Sequence, residues 1–168
     1  RFIEFFINNA PEQLSRASYS AMRERSLGLG AMGFHAYLQR HSIPFESAMA
    51  KGRNMQMFTR IKAEATRATR QLAGERGECP DGEGYGVRNA HLLAIAPNAS
   101  SSIICGNTSP SIEPYRANAF TQKTKSGSSL LKNEYLEDTL QDLGYDTDDV
   151  WKSILTNGGS VQHLEFLD

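Results

Sequence analysis

Five apolar residues, Leu92 to Ala96, run into Pro97-Asn98 and then into three consecutive serines, Ser100 to Ser102. An apolar run bounded by Pro predicts a buried strand. The hydroxyl cluster, followed by Ile103, Ile104 and Cys105, predicts a turn into a helix N-terminus. The first N–H groups of a helix have no intrahelical partner and carry partial positive charge. Hydroxyls gathered beside them suit an anionic ligand, a phosphate above all. A plainer alternative stands next to this one. Serine is a favoured N-cap, so one serine can cap the helix while the others face water.

Around this run the sequence alternates helical patterns with breakers. Phe2 to Asn8 is apolar and aromatic, and is compatible with a strand or a helix end. Pro11 predicts the opening of a helix to about Arg23, with Leu14, Ala17 and Ala21 on one stripe. Ser26 is positioned to cap a second helix through Leu27, Ala31, Phe34, Tyr37 and Leu38. Pro44 to Ser47 opens a long helix to about Gly74, whose Phe58, Ile61, Ala65, Ala68 and Leu72 recur at helical spacing. Gly74 to Gly86, with five glycines, Pro80 and four acids, predicts a loop. Two extended runs around Ser126-Gly127 predict a hairpin. Asn133 caps a helix ended by Gly144, and Asp146-Thr147-Asp148 starts another, stopped at Asn157-Gly158-Gly159.

Several readings fail on spacing or composition. Gly28, Gly30 and Gly33 spell G-x-G-x-x-G, but Arg23-Glu24-Arg25-Ser26 precedes them where a dinucleotide fingerprint needs a hydrophobic strand. Close packing of the predicted helix against a neighbour is the better use of those glycines. The acids of Gly74–Gly86 lack the EF-hand spacing. His35, His41, His91 and His163 show no zinc pattern with Cys or carboxylate. Arg60, Lys62, Arg67 and Arg70 are interleaved with Glu64 and read as a solvated helix face. A net charge of -1 gives no reason to expect nucleic acid or an anionic membrane as partner, and no run is long enough for a transmembrane helix. Cys79 and Cys105, in unlike contexts, make no disulfide framework, which points to a reducing, cytoplasmic setting. By length the 168 residues suffice for one domain.

Ala96-Pro97-Asn98-Ala99-Ser100-Ser101-Ser102 and the following Ser109-Pro110-Ser111-Ile112-Glu113-Pro114 resemble the phosphate-loop region of class I ribonucleotide reductase large (alpha) subunits. Glu24-Arg25-Ser26-Leu27-Gly28-Leu29-Gly30, Pro44-Phe45-Glu46-Ser47-Ala48 and Lys132-Asn133-Glu134-Tyr135-Leu136 agree in order, so the resemblance covers nearly the whole chain. It implies a helix-rich α/β segment, residues 1–168, from the C-terminal half of the ten-stranded α/β barrel. It also implies a part in reducing ribonucleoside diphosphates to deoxyribonucleotides for DNA synthesis. The implied substrate-binding residues are Pro97, Asn98, Ala99, Ser100, Ser101 and Ser102, which hold the diphosphate through amides and hydroxyls. No catalytic residue, metal or cofactor is expected in this segment, because the family's radical and reducing cysteines lie elsewhere. Cys79 and Cys105 match none of them. A radical-generating metal centre is expected in a separate small subunit.

Implied partners are therefore the diphosphate substrate, the small subunit, and the remainder of the large subunit or a companion chain. The apolar start at Arg1–Ile7, without an initiator Met, and the stop at Gln162–Asp168 lead to the expectation of an interior piece. A split-gene subunit that completes a barrel, and a non-catalytic phospholigand-binding module, are the alternatives. Buried free Cys behaves as a small apolar residue, the role expected of Cys105. Glu113 is expected near the cleft, accepting hydrogen bonds that steady the phosphate turn.

Overall fold

A computed structural model describes residues 2–125 and 127–167. The chain divides into two compact units, Arg1–Gly30 with Ala48–Ala96, and Ala31–Ser47 with Pro97–Asp168.

In the first unit, the apolar N-terminal run is a helix, α1 (Phe2–Asn9), followed by α2 (Ser15–Glu24). Arg25 ends α2 in the left-handed region at φ 47°. That conformation brings its guanidinium back to Glu4, whose carboxylate accepts from Arg25 at 3.1 Å and from Arg88 at 2.5 Å. Arg88 also donates to the carbonyls of Arg76 and Gly77, the end of the long helix α4 (Ala48–Arg76). Thr69 completes the knot. Its hydroxyl, buried in the middle of a polar cluster, accepts the amides of Arg88 and Asn89 and donates to Asn89 Oδ1 at 3.0 Å. Three bonds to one hydroxyl explain why a threonine is the residue that α4 buries, alongside Ala50. The predicted apolar stripe is only half-buried, and its Ala68 is exposed.

Two expectations are corrected here. Residues 27–32 do not form a helix: Leu29 pairs with Leu93 in a parallel bridge. Three glycines within six residues each cost a helix about 1 kcal/mol, while the extended backbone gains bonds from Leu27 N to His91 O at 2.9 Å and from Ala94 N to Leu29 O at 3.1 Å. The expected close packing by glycine holds in another form, since a Cβ on Gly30 would meet the carbonyl of Ala94. Second, the run Leu92–Ala96 is not a buried strand. It makes that single bridge, with Leu93 37% and Ile95 66% exposed. Parallel strands are buried when neighbours cover both faces, and among the described residues this one pairs on one side only.

The loop after α4 is built on Glu78, whose carboxylate accepts the amides of Gly84 and Gly86. Buried Cys79 pairs its amide with Val87 O.

In the second unit, Gly33, whose φ of 80° favours glycine, opens α3 (Phe34–Arg40). The first-turn amides of α3 are satisfied by the segment around Ser109: Phe34 N donates to Ser111 O, and Ala36 N to the Ser109 hydroxyl. Further on lies a helix α5 (Ala99–Ile104), then an antiparallel hairpin of β1 (Ala119–Thr124) and β2 (Gly127–Lys132), in register from Ala119↔Lys132 to Thr124↔Gly127. Ser126, within the expected turn, lies outside the described residues.

Asn133 caps α6 (Glu134–Leu143) by accepting from Tyr135 N, and Gly144 ends it in the left-handed region. Thr147 caps α7 (Asp148–Thr156) the same way. These helices close a core of Ala119, Leu140, Trp151, Ile154 and Leu164, flanked by Leu136, Val150 and Leu155. Trp151 cannot be buried without a partner for its N–H; it donates to Asp146 at 2.6 Å.

Candidate functional site

Helix α5 is short because its ends are both held by turns. Asn98 occupies the N-cap position, yet its side chain makes no capping bond to the first turn. The amide of Ser102 closes the helix onto Asn98 O at 2.9 Å, and the buried Ser102 hydroxyl donates to Ala99 O at 3.1 Å. The amides of residues 99–101 form the open first turn. At the other end Gly106 and Asn107 take positive φ, Asn107 donates to Lys132 O at 3.0 Å, and Thr108 N donates to Ser102 O. The chain thus folds back across its own helix and is pinned to β2.

This return builds a cleft of about 650 Å³, lined by Ala99, Ser100 and Ser102 together with Thr108, Tyr115 and Arg116 among others. Arg116 is exposed and makes no ion pair or hydrogen bond among the described residues. Burial is the main cause that pushes the Tyr115 phenol up to about 12, with the Tyr135 and Glu134 side chains adding to it. The phenol, in hydrogen-bond contact with Thr108 and the Ser109 backbone, is therefore neutral.

The six sequence-selected residues separate in three dimensions. Ala99, Ser100 and Ser102 line the cleft, whereas Pro97, Asn98 and Ser101 do not. Of the three serines, Ser100 alone both lines the cleft and has a hydroxyl without a hydrogen bond among the described residues, since Ser102 is bonded to its own helix. Ser101 is exposed elsewhere.

Two further expectations change. Cys105 is exposed, not a buried apolar filler, because it sits at the end of a six-residue helix. Glu113 does not line the cleft and makes no hydrogen bond among the described residues. The steadying role falls to buried Ser109 and Ser111. Thr108, Tyr115 and Arg116 were not selected from the sequence. The one local cue was Arg116, a cation two residues after Pro114, and nothing in the spacing said that it lines the same cleft as Ser100. Among the described residues no group of His, Cys, Asp and Glu could hold a metal ion, and no helix is long and apolar enough to cross a membrane.

A helix-rich α/β segment carrying a cleft beside a serine-rich helix start is the class that fold and site together define. Over residues 1–83 and 80–168 the sequence matches the family described as ribonucleotide reductase, barrel domain, and the chain belongs to that family. It is 52% identical over 168 residues to a putative ribonucleoside-diphosphate reductase large subunit of Frog virus 3, covering 98% of this chain and 30% of the relative. It is 48% identical over 164 residues to the ribonucleoside-diphosphate reductase large subunit of Invertebrate iridescent virus 6, covering 96% and 17%. Among solved structures, the class Id ribonucleotide reductase alpha subunit of Actinobacillus ureae superposes with a TM-score of 0.84 at 42% identity, over 99% of this chain and 30% of that one. The chain thus spans less than a third of the length of these relatives.

Proposed function

We propose that this chain supplies the diphosphate-holding part of a ribonucleoside-diphosphate reductase large subunit. The observation that carries the reading is that Ala99 and Ser100, from the open first turn of α5, line the same cleft as Arg116, which has no ion pair among the described residues. Amides and a hydroxyl donate to phosphate oxygens, and Arg116 supplies a counter-charge without being displaced from another partner.

The diphosphate does not react. Holding it places the ribose against the radical chemistry, so that remote binding energy appears as rate at the reacting carbon. The radical cysteine and the reducing cysteine pair belong to other parts of the reductase in this reading. A separate small subunit with a metal centre delivers the radical, and the assembly works in the cytoplasm. In the assembled enzyme, Ser100→Ala raises the KM for a ribonucleoside diphosphate. An unchanged KM overturns the reading.

A second reading has its own observation. Phe2 is 85% and Phe5 66% exposed, and the bridged pair Leu29 and Leu93 is exposed as well. Apolar surface of this kind suits assembly with a companion chain that carries the other strands of the barrel. Co-purification of such a chain tests it, and a stable, monodisperse monomer opposes it.

A further inference from the structure

His35 stands one residue inside α3, whose entry is tied to Ser109 and Ser111 by the amides of Gly33, Phe34 and Ala36. From that fixed position its ring lies edge-on between two aromatics. Phe45 is 5.5 Å away at 79°, and Tyr115 is 5.5 Å away at 67°. The amide of Tyr115 donates to His35 Nδ1 at 3.2 Å. An accepting Nδ1 carries no proton, so the neutral ring holds its hydrogen on Nε2. Tyr115 and Arg116 follow one another on the wall of the cleft.

We infer that His35 is a positioning residue for the cleft: its neutral imidazole holds the Tyr115 amide, and thereby sets where the phenol of Tyr115 and the cation of Arg116 stand. The inference rests on the diphosphate reading only for its consequence on substrate, and not for the link between the two residues.

Protonation breaks this link in a definite way. An imidazolium presents N–H at Nδ1, so two donors face each other and the bond is lost. Burial lowers the His35 pKa below its ordinary value, with no charged neighbour contributing. Of the side chains in ring contact with it, Phe45 carries no charge and Tyr115 stays neutral up to about 12. The wall is therefore held at neutral pH and released as pH falls below about 6.5 through the folded value.

The test follows the Tyr115 amide in the 15N-labelled 168-residue chain between pH 8 and pH 4.5. The Tyr115 and Arg116 amide shifts are expected to titrate with the same midpoint as the His35 ring proton signals; different midpoints would overturn the link. His35→Phe keeps the ring packing and removes the acceptor, so Tyr115 amide protection from exchange drops at least tenfold. His35→Asn restores an oxygen acceptor and keeps most of the protection, with no titration. Equal protection in wild type and His35→Phe would also overturn it. Should His35→Phe fail to fold, the wild-type midpoints still decide. In the assembled enzyme, His35→Phe is expected to raise the KM for cytidine diphosphate about fivefold with kcat kept. If the amide link holds while cytidine diphosphate fails to bind even at pH 8, the diphosphate reading falls and the role of His35 on the wall stands.

Discussion

The hydroxyl of Ser109, fully buried, accepts the amide hydrogen of Ala36 at 3.2 Å, across a sequence separation of 73 residues. One side chain thereby satisfies a first-turn donor of α3 and holds the segment whose Thr108, Tyr115 and Arg116 line the cleft. Ser109→Ala leaves a buried N–H without a partner, which costs about 1–3 kcal/mol. A urea unfolding midpoint that falls accordingly is the expected result. A midpoint equal to wild type shows that the bond adds nothing.

Ser100 and Ser101 are neighbours in sequence but differ in where they face. Ser100→Ala is expected to raise the KM for the diphosphate about fivefold, the equivalent of about 1 kcal/mol for one hydrogen bond. Ser101→Ala should change it by less than about twofold. Steady-state kinetics of the assembled reductase separates the two. Equal effects from both would mean that the cleft described here is not where the diphosphate sits.

Gly30 and Gly74 predict opposite signs for the same substitution. A Cβ on Gly30 would collide with the Ala94 carbonyl, part of the chain that bridges Leu29 to Leu93. Gly30→Ala should cost about 1–3 kcal/mol, as overpacking does. Gly74 lies within α4 with nothing within 4 Å of the added carbon. Gly74→Ala should stabilise by about 0.5–1 kcal/mol through helix propensity. Thermal unfolding of the two variants side by side reads both signs.

Glu4 gives the first unit an acid limit. The hydrogen bond from Arg25 is the largest cause that holds its carboxyl below the usual range; burial opposes it and Arg88 adds to it. With the folded pKa lowered, the unfolded chain binds more protons in the window between the two values. The stabilisation is therefore complete above the ordinary carboxylate value of about 4.3 and is lost as pH falls through the folded one. Glu4→Gln should lower the urea midpoint at pH 7 and flatten its decline between about pH 5 and pH 3. Superimposable pH curves for the two proteins would exclude this role.

Local chemistry was legible wherever a few adjacent residues decide the outcome. Asn133 and Thr147 accept from the amides their positions call for, Gly144 ends α6 with positive φ, and the hairpin lies where two extended runs meet. The serine-rich start of α5 was also visible, because capping and turn preferences act within one helical turn. The same short range misled at Ser26. A good cap residue with apolar spacing behind it implied a helix, but pairing with residues 91–94 outweighed that local preference.

By itself, then, the amino-acid order determined the family, most of the helix limits and the serines worth examining, since each is written in neighbouring residues. Only the tertiary structure decided that Ser100 and not Ser101 meets the cleft, that Thr108, Tyr115 and Arg116 face it, and that Glu113 does not. It alone brought His35 to Tyr115 across 80 residues of chain. Contacts of that span depend on how loops close and helices pack, and no periodicity in a single sequence encodes their geometry.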